Sequence, residues 1–322
     1  MSAGARPQAE AGVTDKVRVS VVMPLYDAQE FVESAVRSVL ASDLSALEVI
    51  VVDDGSKDRS AAVVAAITDP RVVLLRLPPS GGPSRPRNAG IARARAPYVA
   101  FLDSDDLIRP EKLSTAAQAL DDHPQAGFAF ADFEAIDAGG RVLQASILSD
   151  YPVLQSLPGA PLAQQWRLIA QADLARGLLH ENFIGTSGVV VRRELLTELG
   201  GFDEALVYSE DRDLWFRLAH RCDALYWNHV GQSYRRRPGN LSTGPQLRNA
   251  RDRLTVLQRE RKRWAEPAAR RQLNRLIAEN YGIMGYQQRR VRRLGAFACY
   301  ARALVHSPQL RWVRGLVGSL VP

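Results

Sequence analysis

Three aspartates follow a short apolar run near the middle of the chain. The run covers residues 98–102, and Asp103, Asp105 and Asp106 come directly after it. Clustered carboxylates repel one another, so one must take up a proton, or a metal ion or a basic side chain must neutralise the group. Oxygen ligands on a short loop suit Mg²⁺ or Mn²⁺, which fill their other positions with water and substrate phosphates. A plain acidic turn, in which Asp105 or Asp106 caps a following helix, explains the same residues without a metal.

Polar residues also follow two earlier apolar runs. Tyr26 and Asp27 come after the run at residues 17–25, and Asp-Asp-Gly-Ser at residues 53–56 comes after the run at residues 49–52. Ligands of parallel sheets bind beyond the carboxyl ends of the strands. We therefore expect the three loops to meet at one edge of a sheet, although turn formation and helix capping account for each loop taken singly.

The elements that would position these loops alternate between strands and helices. Continuous apolar runs, typical of strands buried on both faces, are separated by residues with helical spacing. The runs cover residues 17–25, 49–52, 72–77 and 98–102, and the helical patterns lie around residues 31–40 and 86–96. This order predicts an α/β fold with a mainly parallel central sheet and helices on both faces.

The pattern changes after Asp106. A further strand is predicted at residues 127–133, followed by a hairpin at 138–141 and an extended loop without clear period at 145–165. Another strand is predicted at 186–191 and short helices at 193–199 and 211–220. From about residue 247 onward the chain has helical spacing and a basic composition.

Composition limits the class of protein. With 322 residues, of which 46% are hydrophobic, the chain can bury a full core, and two distant cysteines indicate neither a disulfide framework nor a zinc site. Residues 1–229 carry 22 Lys and Arg against 31 Asp and Glu, whereas residues 230–322 carry 20 against 4. This division predicts an acidic catalytic body and a basic region able to meet anionic partners. No apolar run approaches the roughly 20 residues of a membrane span, and residues 1–15 lack the apolar centre of a secretory signal.

Six stretches, in order, resemble the family 2 glycosyltransferases, which have the nucleotide-sugar-binding fold called GT-A. One such stretch would be weak support, but six in sequence are specific. They are Val19–Tyr26, Val51–Ser56, Arg87–Ile91, Phe101–Asp106, Gly200–Glu204 and Ser209–Asp211, and they extend over roughly residues 17 to 245. The resemblance implies a GT-A domain at residues 16–245. The polar composition of residues 1–15 predicts a disordered lead-in, and the spacing and charge of residues 246–322 predict a basic helical region.

The resemblance also implies a donor site. Pro24 and Tyr26 would line the nucleobase pocket, where an aromatic ring stacks on a flat base. Asp54 would accept the imide N–H of the base, with Asp53 beside the base or ribose. Arg87 would approach the ribose or diphosphate as a permanently charged donor.

Two acidic pairs would carry the chemistry. Asp103-Ser104-Asp105 matches the family's Asp-X-Asp signature, so Asp105 would bind Mg²⁺ or Mn²⁺, with Asp103 near the ribose, while Asp106 supports the loop. Glu210-Asp211 matches the pair near the acceptor, in which Asp211 would act as general base in a single inverting displacement. Helix capping by Asp211 is compatible with that role.

The chain departs from the family pattern near residue 237. Relatives often have histidine at the position of Arg237, where it helps to hold the metal or diphosphate. Arginine cannot bind a metal cation but can pair with a diphosphate, which weakens the case for metal dependence. A milder departure is Asp27, where asparagine is usual.

The expected function is inverting transfer of a sugar from a nucleotide donor, UDP-linked, to a hydroxyl of a glycan or lipid-linked glycan. A sugar-phosphate nucleotidyltransferase is one alternative, although its glycine-rich phosphate loop is missing after residue 25. A non-catalytic partner-binding module is another.

The basic region, with Trp312 among Leu310, Val313, Val317 and Leu320 at helical spacing, either lies on an anionic membrane or packs on the catalytic domain. No nucleic-acid-binding motif accompanies it. We expect a cytoplasmic protein, alone or at the cytoplasmic membrane face.

Overall fold

Parallel strands joined by helices form the first part of the fold. The computed structural model describes residues 16–237, 240, 244 and 246–320. Strand β1 (Val19–Leu25) lies between β2 (Leu47–Asp53) and β4 (Tyr98–Phe101), and β3 (Val72–Arg76) pairs with the outer side of β2. All four are parallel, and α1 (Val32–Leu40), α2 (Ser60–Ala65) and α3 (Ser84–Arg93) connect them. Their carboxyl ends therefore meet at one edge of the sheet.

Strand β10 (Val190–Arg192) reverses direction in the middle of the sheet. It pairs antiparallel with β4 and with β6 (Ala126–Ile136), and β6 pairs parallel with β11 (Asp223–Arg235). The strands on either side of β10 thus run the same way, and the mostly parallel sheet that the sequence predicts is confirmed. The remaining elements of this part are β5 (Leu107–Ile108), α4 (Lys112–Asp122), β7 (Val142–Gln144), α5 (Pro152–Ser156), β8 (Ala160–Pro161), β9 (Trp166–Ile169), α6 (Gln171–His180), α7 (Arg193–Glu198) and α8 (Glu210–Ala219).

Helices cover both faces of the sheet. Successive strand residues point to opposite sides, so a continuous apolar run places apolar side chains on both faces, and each face packs against helices. On β1, Val22 belongs to the core shared with α3, α6 and α8, whereas Val21 belongs to the core shared with α1 and α4. Both residues are fully buried. The continuous apolar runs of the sequence are therefore explained by burial on two faces.

The basic region after residue 245 is helical, as predicted. It consists of α9 (Gln246–Arg263), α10 (Pro267–Gln288), α11 (Arg293–His306) and α12 (Leu310–Gly318). Leu257 and Leu273 share the core that contains Trp215 of α8, and α9 and α10 pack directly on α8 and α6. No helix among the described residues is both long enough and apolar enough to cross a bilayer.

Two local predictions were wrong. The loop expected at residues 145–165 contains α5 and β8. Pro152 suits the first turn of a helix, and Leu154 of the same helix is fully buried. The strand expected at 186–191 is confined to Val190–Arg192, since Gly188 has a φ of +77° and lies against Gln232. The hairpin at 138–141 is confirmed by the antiparallel pairing of β6 and β7. Residues 1–15, and part of the segment around Arg237, lie outside the described residues.

Candidate active site

Asp106 fixes the loop that follows β4. Its Oδ2 accepts a hydrogen bond from Ser187 Oγ at 2.5 Å, and its Oδ1 accepts one from the backbone N–H of Arg235 at 2.8 Å. Its own N–H donates to the carbonyl of Asp103 at 3.1 Å, which closes a tight turn. Burial, together with the charges on Asp103 and Asp105, raises the pKa of Asp106 well above its usual range. Asp106 is only 1% exposed, so its contacts are those of a supporting residue.

Arg87 joins the two acidic pairs. Its Nη2 donates to Asp103 Oδ1 at 2.7 Å and its Nη1 donates to Glu210 Oε1 at 2.8 Å. The guanidinium is 5.2 Å from the centre of the Phe202 ring, and its side chain is 4% exposed. Burial by itself would lower the pKa of Arg87, but the charges on Asp103 and Glu210 outweigh it and raise that pKa. The loop after β4 and the start of α8 are therefore held together by one permanent positive charge.

The close approach of α3 to the sheet puts Arg87 in this position. A Cβ at Gly90 would lie 2.3 Å from Val22 Cγ1, so only glycine allows α3 to pack so near β1. Asn88 fastens the other side of the helix: its Oδ1 accepts from the N–H of Phe202 at 2.8 Å and its Nδ2 donates to the Phe202 carbonyl at 2.9 Å. Within the Arg-Asn-Ala-Gly stretch, Arg87 thus makes the ion pairs, Asn88 makes the hydrogen bonds, and Gly90 allows the close packing on the sheet.

Asp105 is paired with the other arginine of the site. Arg237 Nε donates to Asp105 Oδ2 at 2.7 Å, and the two side chains are 21% and 16% exposed. The Arg237 guanidinium also lies 5.1 Å from the centre of the Phe31 ring. Burial and the charge on Asp103 raise the pKa of Asp105, although Arg237 lowers it. A positive charge beside Asp105 is therefore favourable.

The carboxylate oxygens around Asp105 provide some, but not all, of the ligands that a divalent cation needs. No group of three or more His, Cys, Asp or Glu side chains in the part of the chain that the structure describes is arranged to hold a metal. Asp103 and Asp105 each keep one oxygen outside their arginine contacts. One or two carboxylates are what Mg²⁺ uses when substrate phosphates and water complete its shell. The residues fit a cation held largely by the donor, and they do not form a cage for a cation alone.

Asp211 is the second residue of α8, and the helix begins directly after a strained residue, Ser209. Ser209 has a φ of +59°, in the left-handed region that non-glycine residues seldom adopt and that is common near active sites. Asp211 is half-buried; its Oδ2 accepts from Asn182 Nδ2 at 3.3 Å and its Oδ1 from the N–H of Arg212 at 2.6 Å. Burial raises the pKa of Asp211, although the backbone of Arg212 lowers it. Burial and the charge of Asp211 also raise the pKa of Glu210, to about 7.

The residues predicted to meet the nucleobase lie at the ends of β1 and β2. Tyr26 is 49% exposed, so its ring is open to stacking, and Pro24 pairs in register with Val52. The Asp54 carboxylate accepts three hydrogen bonds from Ser80, two from the backbone N–H and one from Oγ at 2.8 Å. A carboxylate has about four lone-pair directions, so Asp54 keeps capacity for one further donor.

Asp53 and Asp27 shape the same loops, Asp53 from a buried position and Asp27 from the surface. Asp53 is 5% exposed, and its Oδ1 accepts from the N–H of Ser56 at 3.0 Å, which forms the turn. Asp27 has a φ of +44°, and its Oδ1 accepts from the N–H of Lys57 at 2.7 Å. Asp27 also lines a shallow cleft with Phe31, Asp58 and Arg237. The loop after β1 and Arg237, which pairs with Asp105, therefore contribute to the same surface.

Helix α9 anchors the segment that leads into Glu210 and Asp211. Asp252 Oδ2 accepts from the backbone N–H groups of Val207 and Tyr208 at 3.1 and 3.0 Å. Arg259 donates to Asp203 Oδ2 at 2.6 Å and to Asp213 Oδ1 at 2.9 Å. The C-terminal region thereby takes part in positioning the candidate site.

The structure brings together most of the residues that the sequence singles out. Arg87 contacts Asp103 and Glu210, and Arg237 contacts Asp105. Sequence reasoning missed the polar residues that hold these groups in place, since isolated serines and asparagines in loops give no local signal. They are Ser80, Ser187, Asn182 and Asp252.

Comparison of the sequence with known proteins gives consistent matches. A family model described as glycosyl transferase family 2 matches residues 20–200. Succinoglycan biosynthesis protein ExoO of Rhizobium meliloti (strain 1021) is 36% identical over 201 residues, which are 61% of this chain and 54% of that protein. Uncharacterized protein MT1568 of Mycobacterium tuberculosis (strain CDC 1551 / Oshkosh) is 31% identical over 248 residues, 75% of each. The chain thus spans about half the length of ExoO.

Solved structures with a similar fold include two nucleotide-sugar complexes. The S. aureus TarS 1–349 complex with UDP-GlcNAc superposes with a TM-score of 0.61 at 19% identity, over 94% of this chain and 79% of that one. The mannosyltransferase PcManGT from Pyrobaculum calidifontis, in complex with GDP-Man and Mn²⁺, gives 0.60 at 18% identity, over 95% and 80%. At these identities the likeness shows the fold. The family match covers more than half of the chain, and we conclude that this protein is a glycosyltransferase of family 2 with the GT-A fold.

Proposed function

We propose that this enzyme transfers one sugar from a nucleoside-diphosphate donor, UDP-linked, to a hydroxyl of a glycan or lipid-linked glycan. The observation that carries the proposal is the double contact of Arg87, which bonds Asp103 of the donor loop and Glu210 beside Asp211. The residues proposed to bind the donor and those proposed to act on the acceptor thus contact the same side chain, that of Arg87. The UDP-GlcNAc complex of TarS supports a UDP-linked donor, and the name of ExoO supports an acceptor in polysaccharide synthesis.

In the proposed reaction, an acceptor hydroxyl oxygen attacks the anomeric carbon from the face opposite the diphosphate. The bond from that carbon to the diphosphate oxygen breaks, the nucleoside diphosphate leaves, and the hydroxyl proton passes to Asp211. One displacement inverts the anomeric configuration and needs only this one base. The raised pKa makes Asp211 a better proton acceptor, while Asn182 restrains its Oδ2.

The donor would be held by the loops at the sheet edge. Tyr26 would stack on the base beside Pro24. Asp54 would accept the imide N–H of the base, and Asp53 would lie beside the base or ribose. Arg87 would act near the ribose through Asp103.

The diphosphate would meet the second arginine of the site. A bound Mg²⁺ or Mn²⁺ would neutralise charge on the leaving diphosphate, and Asp105, with Asp103, would hold it. Arg237 already lies beside Asp105 and would pair with the same diphosphate.

The base assignment is tested by Asp211→Asn, with Asp173→Asn in the first turn of α6 as a matched control. A panel of nucleotide sugars with Mn²⁺, screened by thermal shift, first identifies the donor, since a ligand that binds the folded state raises its stability. Asp211→Asn should bind that donor normally and lose about 100-fold or more in turnover. Full turnover in Asp211→Asn would refute the assignment.

The metal assignment needs a binding measurement that does not depend on turnover. Titration of the parent protein with UDP should give a higher affinity when Mn²⁺ is present, and Asp105→Ala should abolish that difference. Mn²⁺ titrated alone should bind weakly, because the described residues form no complete cage. An unchanged effect of Mn²⁺ in Asp105→Ala would refute the role of Asp105.

We also propose a cytoplasmic location with peripheral membrane contact through the basic C-terminal helices. Cys222 and Cys299 are free thiols, which suits a reducing compartment. Cell fractionation of the tagged full chain, with and without a high-salt wash, tests the location.

A further inference from the structure

The far end of the helical C-terminal region combines a dense positive charge with exposed apolar side chains. From residue 280 to the end, the chain has seven arginines and no Asp or Glu. Four of the arginines surround the turn between α10 and α11, and all four are exposed: Arg289, Arg290, Arg292 and Arg293. Among the described residues, no carboxylate lies within ion-pair distance of any of them. We call these four residues the arginine turn.

Apolar side chains stand between and beside these charges. Val291 and Leu294 are each 84% exposed. The helix α12, with the turn that ends it, contributes a stripe at the spacing of one helical face, and all of its members are exposed: Leu310, Val313, Val317 and Leu320. We call these four residues the α12 stripe. Arg314 of α12 is exposed as well.

The stripe and the arginine turn lie at neighbouring positions. A Cβ at Gly285 of α10 and one at Gly315 of α12 would both meet the Tyr300 ring of α11, so these three residues share one level. With a rise of about 1.5 Å per residue, Leu294 lies roughly 9 Å and Leu320 roughly 7.5 Å from that level, in the direction of the turn. The stripe therefore ends beside the turn.

The tryptophan of this region does not belong to the exposed stripe. Trp312 is 7% exposed and lies over Gly282 of α10, where a Cβ would be 2.2 Å from the ring. Arg311 stacks on Trp312 at 4.2 Å and pairs with Glu279 at 3.3 Å. Of the two arrangements that the sequence left open for this segment, Trp312 follows the packed one: it fixes α12 on α10, with the stripe turned outward.

We propose that the arginine turn and the α12 stripe together form a docking surface for an anionic phospholipid bilayer. The charge argues for this occupant: arginines without carboxylate partners attract anionic headgroups, and the stripe enters the boundary between headgroups and acyl chains. The proposal specifies which surface makes the membrane contact proposed above. It does not depend on the transfer reaction, because the surface lies outside the candidate site.

Vesicle co-sedimentation tests the proposal with the full chain. The parent protein should bind phosphatidylglycerol vesicles and not phosphatidylcholine vesicles, and binding should weaken as salt rises from 50 to 500 mM. Each arginine near an anionic surface contributes about 1 kcal/mol, or roughly fivefold in binding. Replacing all four residues of the arginine turn by Gln should therefore lower the binding constant by about 100-fold or more.

A matched control removes the same charge elsewhere. Four exposed arginines of the catalytic domain that have acidic partners are replaced by Gln: Arg37, Arg141, Arg176 and Arg221. Since charges more than about 8 Å from the surface are screened at physiological salt, this variant should bind vesicles like the parent. An equal loss in the control would overturn the proposal.

The apolar part has its own pair of variants. Leu310→Ser with Val317→Ser should lower vesicle binding about tenfold or more, whereas Val142→Ser with Leu143→Ser on the exposed β7 should not. Circular dichroism and donor binding confirm that each variant is folded.

Three further outcomes would overturn the proposal: equal binding to phosphatidylcholine, a dimer in light scattering that Leu310→Ser with Val317→Ser abolishes, or tighter binding to a DNA duplex than to anionic vesicles. Loss of vesicle binding with normal transfer to a soluble acceptor separates this surface from the proposed catalytic function.

Discussion

Replacement of Arg87 by Met should destabilise the protein strongly, and the loss should depend on pH. Met keeps most of the side-chain volume beside Phe202 but removes the charge that faces Glu210 and Asp103. Glu210 is 6% exposed, so the variant leaves a buried carboxylate without its counter-ion. Breaking one partner out of a buried pair costs about 3–5 kcal/mol. We expect a loss of unfolding free energy in this range at pH 8.

The sign of the pH dependence follows from Glu210. Its folded-state pKa is already raised to about 7, and removal of Arg87, which lowers it, raises it further. A carboxyl with a raised folded-state pKa stabilises the fold while it is protonated, and this contribution is lost as pH rises through that pKa. The difference between parent and Arg87→Met should therefore be smallest near pH 5 and grow as the pH rises through about 7.

Urea unfolding at pH 5 and pH 8 measures both effects. Arg221→Met is the control, because its pair with Glu198 is exposed and its removal should leave the unfolding midpoint unchanged. Arg87→Lys should give an intermediate loss, since one ammonium lacks the fork that reaches both carboxylates. A loss that is equal at both pH values, or no larger than that of Arg221→Met, would refute the reasoning.

Three further results are expected. Gly90→Ala should lower the unfolding free energy by about 1–3 kcal/mol in urea titrations because α3 must move off the sheet, whereas Gly139→Ala, whose Cβ would meet only Asp137 Oδ1 at 3.4 Å, should not; equal effects would contradict the packing argument. The transfer rate should fall as pH drops through a pKa above the ordinary aspartate value, because Asp211 must be ionised to accept the proton, and a rate profile flat down to pH 4 would exclude it as the base. Asp252→Ala should cut turnover more than donor affinity, measured by steady-state kinetics and UDP titration, since it frees the segment ahead of α8; a change in donor affinity alone would contradict this.

The neutralisation of the acidic loop shows where sequence reasoning stopped. Three clustered carboxylates required a proton, a metal or a basic side chain, and local sequence left the choice open. In the fold, Arg87 lies 16 residues before Asp103 and Arg237 lies 132 residues after Asp105, and each supplies a guanidinium. A charge that arrives from so far along the chain depends on how the strands are ordered, which is a tertiary property.

The sequence by itself determined the family and most of the strands and helices, because these rest on short-range periodicity and on residues adjacent in the chain. Continuous apolar runs made β1, β2 and β4 recognisable, and six ordered motifs named the candidate residues. Only the tertiary structure decided the reversed strand β10, the role of α9 in holding the segment before Asp211, and the outward direction of the α12 stripe. These features depend on contacts between segments far apart in the sequence, and no local pattern of residue types records which distant partner a side chain will meet.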